Sequence, residues 1–201
     1  MDIPSRNINR RIAAQARGLR AAMGLSLDAL ASKSGVSRSM ISLIERGEAS
    51  PTAVVLERLS CGLGVPLARL FDAPADHGAA PHPVVRRAAQ PQWRDPASGY
   101  LRRNVSPPHW PSPIKIVEVD FPAGARVAYE TGSRDPPVHQ QVWLLTGRLQ
   151  VTLGDEQYRL DAGDCLAMLL DRPTVFANRT RDPARYVVVV SAETPFSRRA
   201  V

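Results

Sequence analysis

Cysteine is scarce in this 201-residue chain. Cys61 and Cys165 lie far apart and form no Cys-X-X-Cys pair, which argues against a disulfide framework or a cysteine metal knuckle. No apolar run approaches the ~20 residues that a membrane-spanning helix needs. The amino-terminal stretch MDIPSRNINRRIAAQARGLR is charged from Arg6 on and lacks the apolar run and small-residue cleavage site of a secretory signal, so the expectation is a cytoplasmic protein. Acidic residues are outnumbered, 19 Asp and Glu against 26 Lys and Arg, which leaves a formal net charge of +7. A basic balance favours polyanionic partners, but an arginine-rich composition produces it as well, so the motifs must decide.

What is present divides in two. From Asn9 to Phe71 apolar residues recur at helical spacing, with Ile12, Ala16, Leu19 and Met23 on one face of the first segment. Proline is rare there and placed as punctuation: Ser50 can cap a helix with Pro51 at its first position, and Pro66 can open another. The stretch DAPADHGAAPHP, Asp72 to Pro83, has no apolar period and reads as a linker. Beyond Val84 come short runs rich in Val, Ile, Leu, Tyr and Phe, among them IKIVEVDF, RLQVTLG and RYVVVVS, separated by Gly, Pro and Asp. They predict antiparallel strands in a sandwich or barrel. The proline-rich Ser106–Pro113 reads as a loop, placed to cover a barrel mouth. The expected domains are 1–72 and 84–201, joined by a linker at 73–83.

The segment LSLDALASKSGVSRSMISLIERGEASP, Leu25 to Pro51, carries the most information. Ser26 can cap a short helix that buries Leu27 or Leu30, with Ala31 at a close helix crossing. Gly35 follows where the chain must turn left-handed, a conformation that costs a Cβ-bearing residue ~1 kcal/mol or more. Val36 goes to the core and Ser37 can cap the next helix. Ile41 and Ile44 make the buried stripe of that helix, while Arg38, Ser39 and Ser42 project outward. A plain helical bundle shares the apolar spacing but gives no reason for a glycine at this turn with a short polar face directly after it.

These residues resemble the lambda-repressor-like, XRE-type helix-turn-helix family: Ala31, Gly35, Val36, Ile41 and Ile44 fall where its pattern expects them, followed by the I-E-R-G of Ile44 to Gly47. The resemblance covers the first third of the chain and implies a five-helix domain whose Ser37–Arg46 helix enters the major groove of double-stranded DNA. Arg38 and Ser39 would then lie nearest the base edges, with Ser42 and Leu43 beside them. Arg46 and the exposed N–H groups that open the helices at Ser26 and Ser37 suit phosphate. One departure is Leu27, which stands where many members carry a glutamine that holds the DNA backbone.

The second half resembles the cupin superfamily through FPAG at Phe121, LLTGRLQVTLG at Leu144 and YRLDAGD at Tyr158. That implies a double-stranded β-helix, or jelly-roll, barrel. Metal-binding cupins carry two histidines and a glutamate, then a further histidine. Aligned on Gly147, this chain has Gln140 at the glutamate position, the histidine pair falls within Ser133, Arg134, Asp135 and Pro136, and Thr174 stands at the last histidine. Neither metal nor cofactor is therefore expected. His139 is the one nearby imidazole and should face away from Gln140, either as a structural or surface residue or as a pocket hydrogen-bonding group. His77, His82 and His109 lie in predicted linker or loops. Gln140 and Thr174 become candidate ligand-binding groups, and Tyr129, Met168 and Phe176 candidate pocket walls, though all three suit core filling equally. Arg126 or Arg134 near the mouth would attract an anionic ligand.

The reading that follows is a homodimeric transcription regulator whose barrel senses a small-molecule effector, with no membrane partner and no catalytic residue. The rival is a metal-dependent cupin oxygenase, epoxidase or isomerase with an accessory helix-turn-helix domain, against which the missing ligands argue. A DNA-binding antitoxin whose barrel holds only a protein partner is the third reading.

Overall fold

Serine and threonine side chains set where the helices begin. In the computed structural model, which describes residues 3–72, 81–130, 132 and 137–192, Ser26 Oγ accepts a hydrogen bond from the Ala29 N–H at 3.0 Å and starts helix α2 (Leu27–Ser34). Ser37 does the same for α3 (Arg38–Glu45), accepting from Met40 N–H at 3.3 Å. Thr52, not Ser50, caps α4 (Ala53–Gly62): one more residue is spent in the turn, where Pro51 is buried and Ser50 Oγ instead accepts from the Asn9 amide. Helix α1 (Ile3–Ala22) buries Ile8, Ile12 and Ala16 against the others. Met23 lies beyond its last turn and is exposed, so it does not extend that face.

These are four α-helices among the described residues rather than five. The expected fifth is a 3₁₀ helix, Leu67–Phe71, pinned between Pro66 and Asp72, in which Arg69 N–H bonds Pro66 O at i to i+3 spacing. Gly35 has φ +66°, the left-handed turn its position requires, and its N–H returns to Ala31 O. A close helix contact lies at Gly62 of α4. A Cβ there would stand 2.7 Å from the Cβ of Ser34, which is buried on α2. Ala31 is only partly buried.

The remainder is β-structure: β1 (Gln92–Arg94), β2 (Leu101–Asn104), β3 (Ile114–Phe121), β4 (Arg126–Tyr129), β5 (Val138–Thr146), β6 (Arg148–Leu153), β7 (Glu156–Asp161), β8 (Cys165–Leu169), β9 (Thr174–Ala177) and β10 (Ala184–Ala192). They form a six-stranded sheet, β1-β2-β3-β10-β5-β8, and a four-stranded sheet, β4-β9-β6-β7, every pair antiparallel. From β3 to β10 the chain crosses between the sheets at every connection except the β6–β7 hairpin, the double Greek-key order of a jelly roll. The sheets face each other without closing into one barrel. The edges of the smaller sheet, β4 and β7, pair with no strand of the larger one. Gly147, φ +81°, carries the chain from one sheet to the other so tightly that a Cβ would meet Pro183 O at 2.6 Å.

The helical and sheet halves pack on each other. Asp95, 2% exposed, accepts the Ala53 N–H of α4 at 2.9 Å and the Ser98 N–H at 2.8 Å, so a carboxylate from the β-half closes a helix N-terminus in the other half. Phe71 meets Trp93 at 5.4 Å between ring centroids, and Arg58 pairs with Glu130 at 2.6 Å. No described helix is long and apolar enough to cross a membrane. Residues 73–80 of the expected linker, and Ser133 to Pro136, lie outside the described residues.

Candidate nucleic-acid interface and enclosed cavity

Helix α3 is amphipathic in the required sense. Ile41, Ile44 and Glu45 are buried, while Arg38, Ser39 and Arg46 are exposed and Ser42 and Leu43 half-buried along its outer side. Its orientation is fixed by Arg20 of α1, which holds the buried Glu45 with two bonds of 2.6 and 2.7 Å and also donates to Leu25 O at 2.8 Å. This fork-to-carboxylate clamp ties α3 to α1 in one orientation. It was not read from the sequence, where Glu45 looks like one more solvated charge.

On the outer face, Arg38 lies 3.2 Å from Asp28 with both side chains largely exposed. Arg46 donates to Ser42 Oγ and pairs with Glu48 at 2.8 Å, which holds the Glu48 carboxyl below its ordinary range. Exposed pairs of this kind are screened by water and contribute little, so both arginines can exchange carboxylate for another anion at little cost. Ser39 Oγ lies 3.2 Å from Ser37 Oγ. Leu27 at the start of α2 is partly buried against the core.

Between the two sheets is a second feature, a cavity of about 60 Å3, room for roughly four waters. Of the residues singled out for a pocket, Tyr129, Gln140, Thr174 and Phe176 line it. Met168 is buried outside it, with its Sδ accepting from Gln140 Nε2 at 3.9 Å. His139, next to Gln140 on β5, is exposed on the opposite face. No residue of the Ser106–Pro113 loop reaches the cavity. Its mouth is covered by the helical half, through Glu57 of α4 and Pro66, Leu67 and Ala68 of the 3₁₀ segment.

The cation in this cavity is neither Arg126, which is exposed on β4, nor Arg134, which lies outside the described residues. It is Arg102, 7% exposed, whose inward position follows from its pairing with Val119, another lining residue. Arg102 Nε donates to Asn104 Oδ1 at 3.3 Å and its guanidinium carbon sits 4.9 Å from the Phe71 ring centroid. On the other face of the sheet, Arg103 of β2 and Arg185 of β10 show the contrast: both bind Glu118 of β3. Burial pulls the Arg102 guanidinium below its ordinary value and pushes the Tyr129 and Tyr186 hydroxyls well above theirs. Among the described residues no group of three or more His, Cys, Asp and Glu is placed to hold a metal ion.

With this geometry in place, comparison with known proteins is decisive for one half. Residues 17–70 match a family model described as HTH_3: Helix-turn-helix. This segment is a helix-turn-helix domain. Across 86% of the chain and 89% of the relative, the sequence is 25% identical to the HTH-type transcriptional regulator SutR of Escherichia coli K12. A solved HTH_3 family transcriptional regulator from Vibrio cholerae superposes with a TM-score of 0.74 over 94% of this chain and 99% of that one, at 24% identity, which extends the likeness of fold from the helix-turn-helix domain across the sandwich. A cupin domain of an XRE family regulator from Enterobacter cloacae matches 47% of this chain and 98% of its own length at 13% identity and a TM-score of 0.41, too distant to carry an argument.

Proposed function

We propose that the chain is a sequence-specific DNA-binding transcription regulator, with a helix-turn-helix domain over 1–72 and a cupin-type sensing and pairing domain over 84–201, acting in the cytoplasm. The observation that carries this reading is the family match over 17–70, which falls on a capped, clamped α3 with an exposed polar face. In this reading Arg38 and Ser39 reach base edges in the major groove, where an arginine pairs with guanine O6 and N7. Ser42 and Leu43 contact bases beside them. Arg46 and the N–H groups at the starts of α2 and α3, behind Ser26 and Ser37, hold phosphate and set register.

The regulator pairs through the outer face of the six-stranded sheet. Ile114, Ile116, Trp143 and Leu169 are 36–50% exposed there, on β3, β5 and β8, with the half-buried Val187 and Val189 of β10 between Ile116 and Trp143, and an exposed apolar face of this kind marks an interface. The cavity between the sheets is the effector site, with Tyr129, Gln140, Thr174 and Phe176 in its wall and Met168 backing Gln140. Selection from a random duplex pool tests the core of this proposal: one enriched motif, repeated as two half-sites about a helical turn apart, is expected. Recovery of no motif at low salt would overturn it.

A further inference from the structure

Resting on the reading of the cavity as an effector site, we infer that its ligand is a small carboxylate, bound by Arg102 beneath a roof supplied by the helix-turn-helix domain, and that it loosens that roof by bringing a second negative charge into the cavity that Glu57 lines. A buried guanidinium is costly unless its donors and charge are met. Here Nε has one long bond and one face rests on Phe71, while among the described residues no carboxylate pairs with Arg102 and neither Nη group has a hydrogen-bond acceptor. Planar paired donors of this kind match the two oxygens of a carboxylate. Tyr100 and Tyr129, with hydroxyls 3.3 Å apart, and Gln140 and Thr174 offer further polar contacts, and Phe121, Phe176 and the valines leave only an apolar wall for the rest of the ligand. The volume limits it to about four to six non-hydrogen atoms while the roof stays in place.

Glu57 makes the site a coupling device. It projects from α4, is 6% exposed and lines the same cavity as Arg102. A carboxylate bound to the guanidinium repels Glu57 across the cavity, weakening the hold of the sandwich on α4. The effector and the docked position of the helix-turn-helix domain are then mutually destabilising, and each changes the affinity of the other by the same factor.

The test is calorimetric titration of the full chain with propionate and with propionamide, its neutral isostere, at constant ionic strength. Propionate should bind and propionamide should not. Arg102→Gln, with an unchanged circular dichroism spectrum, should weaken propionate at least about tenfold, and Glu57→Gln should tighten it. Hydrogen exchange of residues 53–62 should quicken when propionate is added. Equal binding of the amide, or propionate affinity within twofold in a folded Arg102→Gln chain, overturns the inference; if that variant does not fold, the comparison of acid with amide still decides. A chain that selects a DNA motif yet shows no preference for the acid refutes this site alone, and the converse refutes the regulator reading alone.

Discussion

Replacing Asp95 tests whether the two halves are held together as described. Its carboxylate is buried and closes the N-terminus of α4 through the Ala53 N–H at 2.9 Å while fixing its own turn through the Ser98 N–H at 2.8 Å. A hydrogen bond to a charged group contributes ~1.5–3 kcal/mol, and a buried N–H left without acceptor costs ~1–3 kcal/mol. Relief of the carboxylate's own desolvation offsets part of the loss. The net for Asp95→Ala is a destabilisation of about 3 kcal/mol. Asp95→Asn keeps an acceptor for Ala53 but loses the charge, and should cost about half as much. Urea unfolding followed by circular dichroism gives both values, and at this chain length 3 kcal/mol corresponds to a fall in Tm of roughly 6–12 °C. An Asp95→Ala chain within about 1 kcal/mol of the parent would refute the argument that the sandwich caps α4.

Gly62→Ala should destabilise the helical half by about 1–3 kcal/mol in the same assay, because the new Cβ meets Ser34 at 2.7 Å and must push α2 and α4 apart. Trp143→Lys places a charge on the exposed apolar face of the six-stranded sheet, so on the proposed pairing the parent should sediment as a dimer and the variant as a monomer, with the circular dichroism spectrum unchanged. Burial raises the hydroxyls of Tyr129 and Tyr186 well above 10. The folded state therefore keeps protons that the unfolded state releases above pH 10, so stability should be full below that pH and fall as pH rises through it. Absorbance titration of tyrosinate, run beside an unfolding curve, should show these two hydroxyls ionising only as the chain unfolds.

The helix-turn-helix was legible because its signals are local. Gly35 must turn, Ser26 and Ser37 cap within three residues, and Ile41 and Ile44 repeat at helical spacing. The clamp between Arg20 and Glu45 was not, since nothing in the spacing of two charges on different helices says that they meet. The longer strands announced themselves by composition, whereas β1, β2, β4 and β9, at three or four residues, are too short to show a period. Arg102 is the instructive case. In LRRN it looks like part of a solvated basic run, and only pairing with β3 and the arrival of Phe71 from the helical half bury it. For the same reason the roof over the cavity was assigned to the proline-rich loop: the residues that cover it are distant in sequence and come from the other domain.

The central claim is recognition of DNA by α3, and Arg38 is where it is most exposed to failure. Binding of the parent chain and of Arg38→Ala to the selected duplex and to a scrambled one, measured by fluorescence anisotropy across a salt series, tests it most directly. The parent should prefer the selected duplex by about a thousandfold or more and weaken steeply with salt. Arg38→Ala should lose roughly 5- to 150-fold on the selected duplex with little change on the scrambled one. Equal affinity of the parent for both duplexes, or an Arg38→Ala chain that keeps the full preference, would contradict the account.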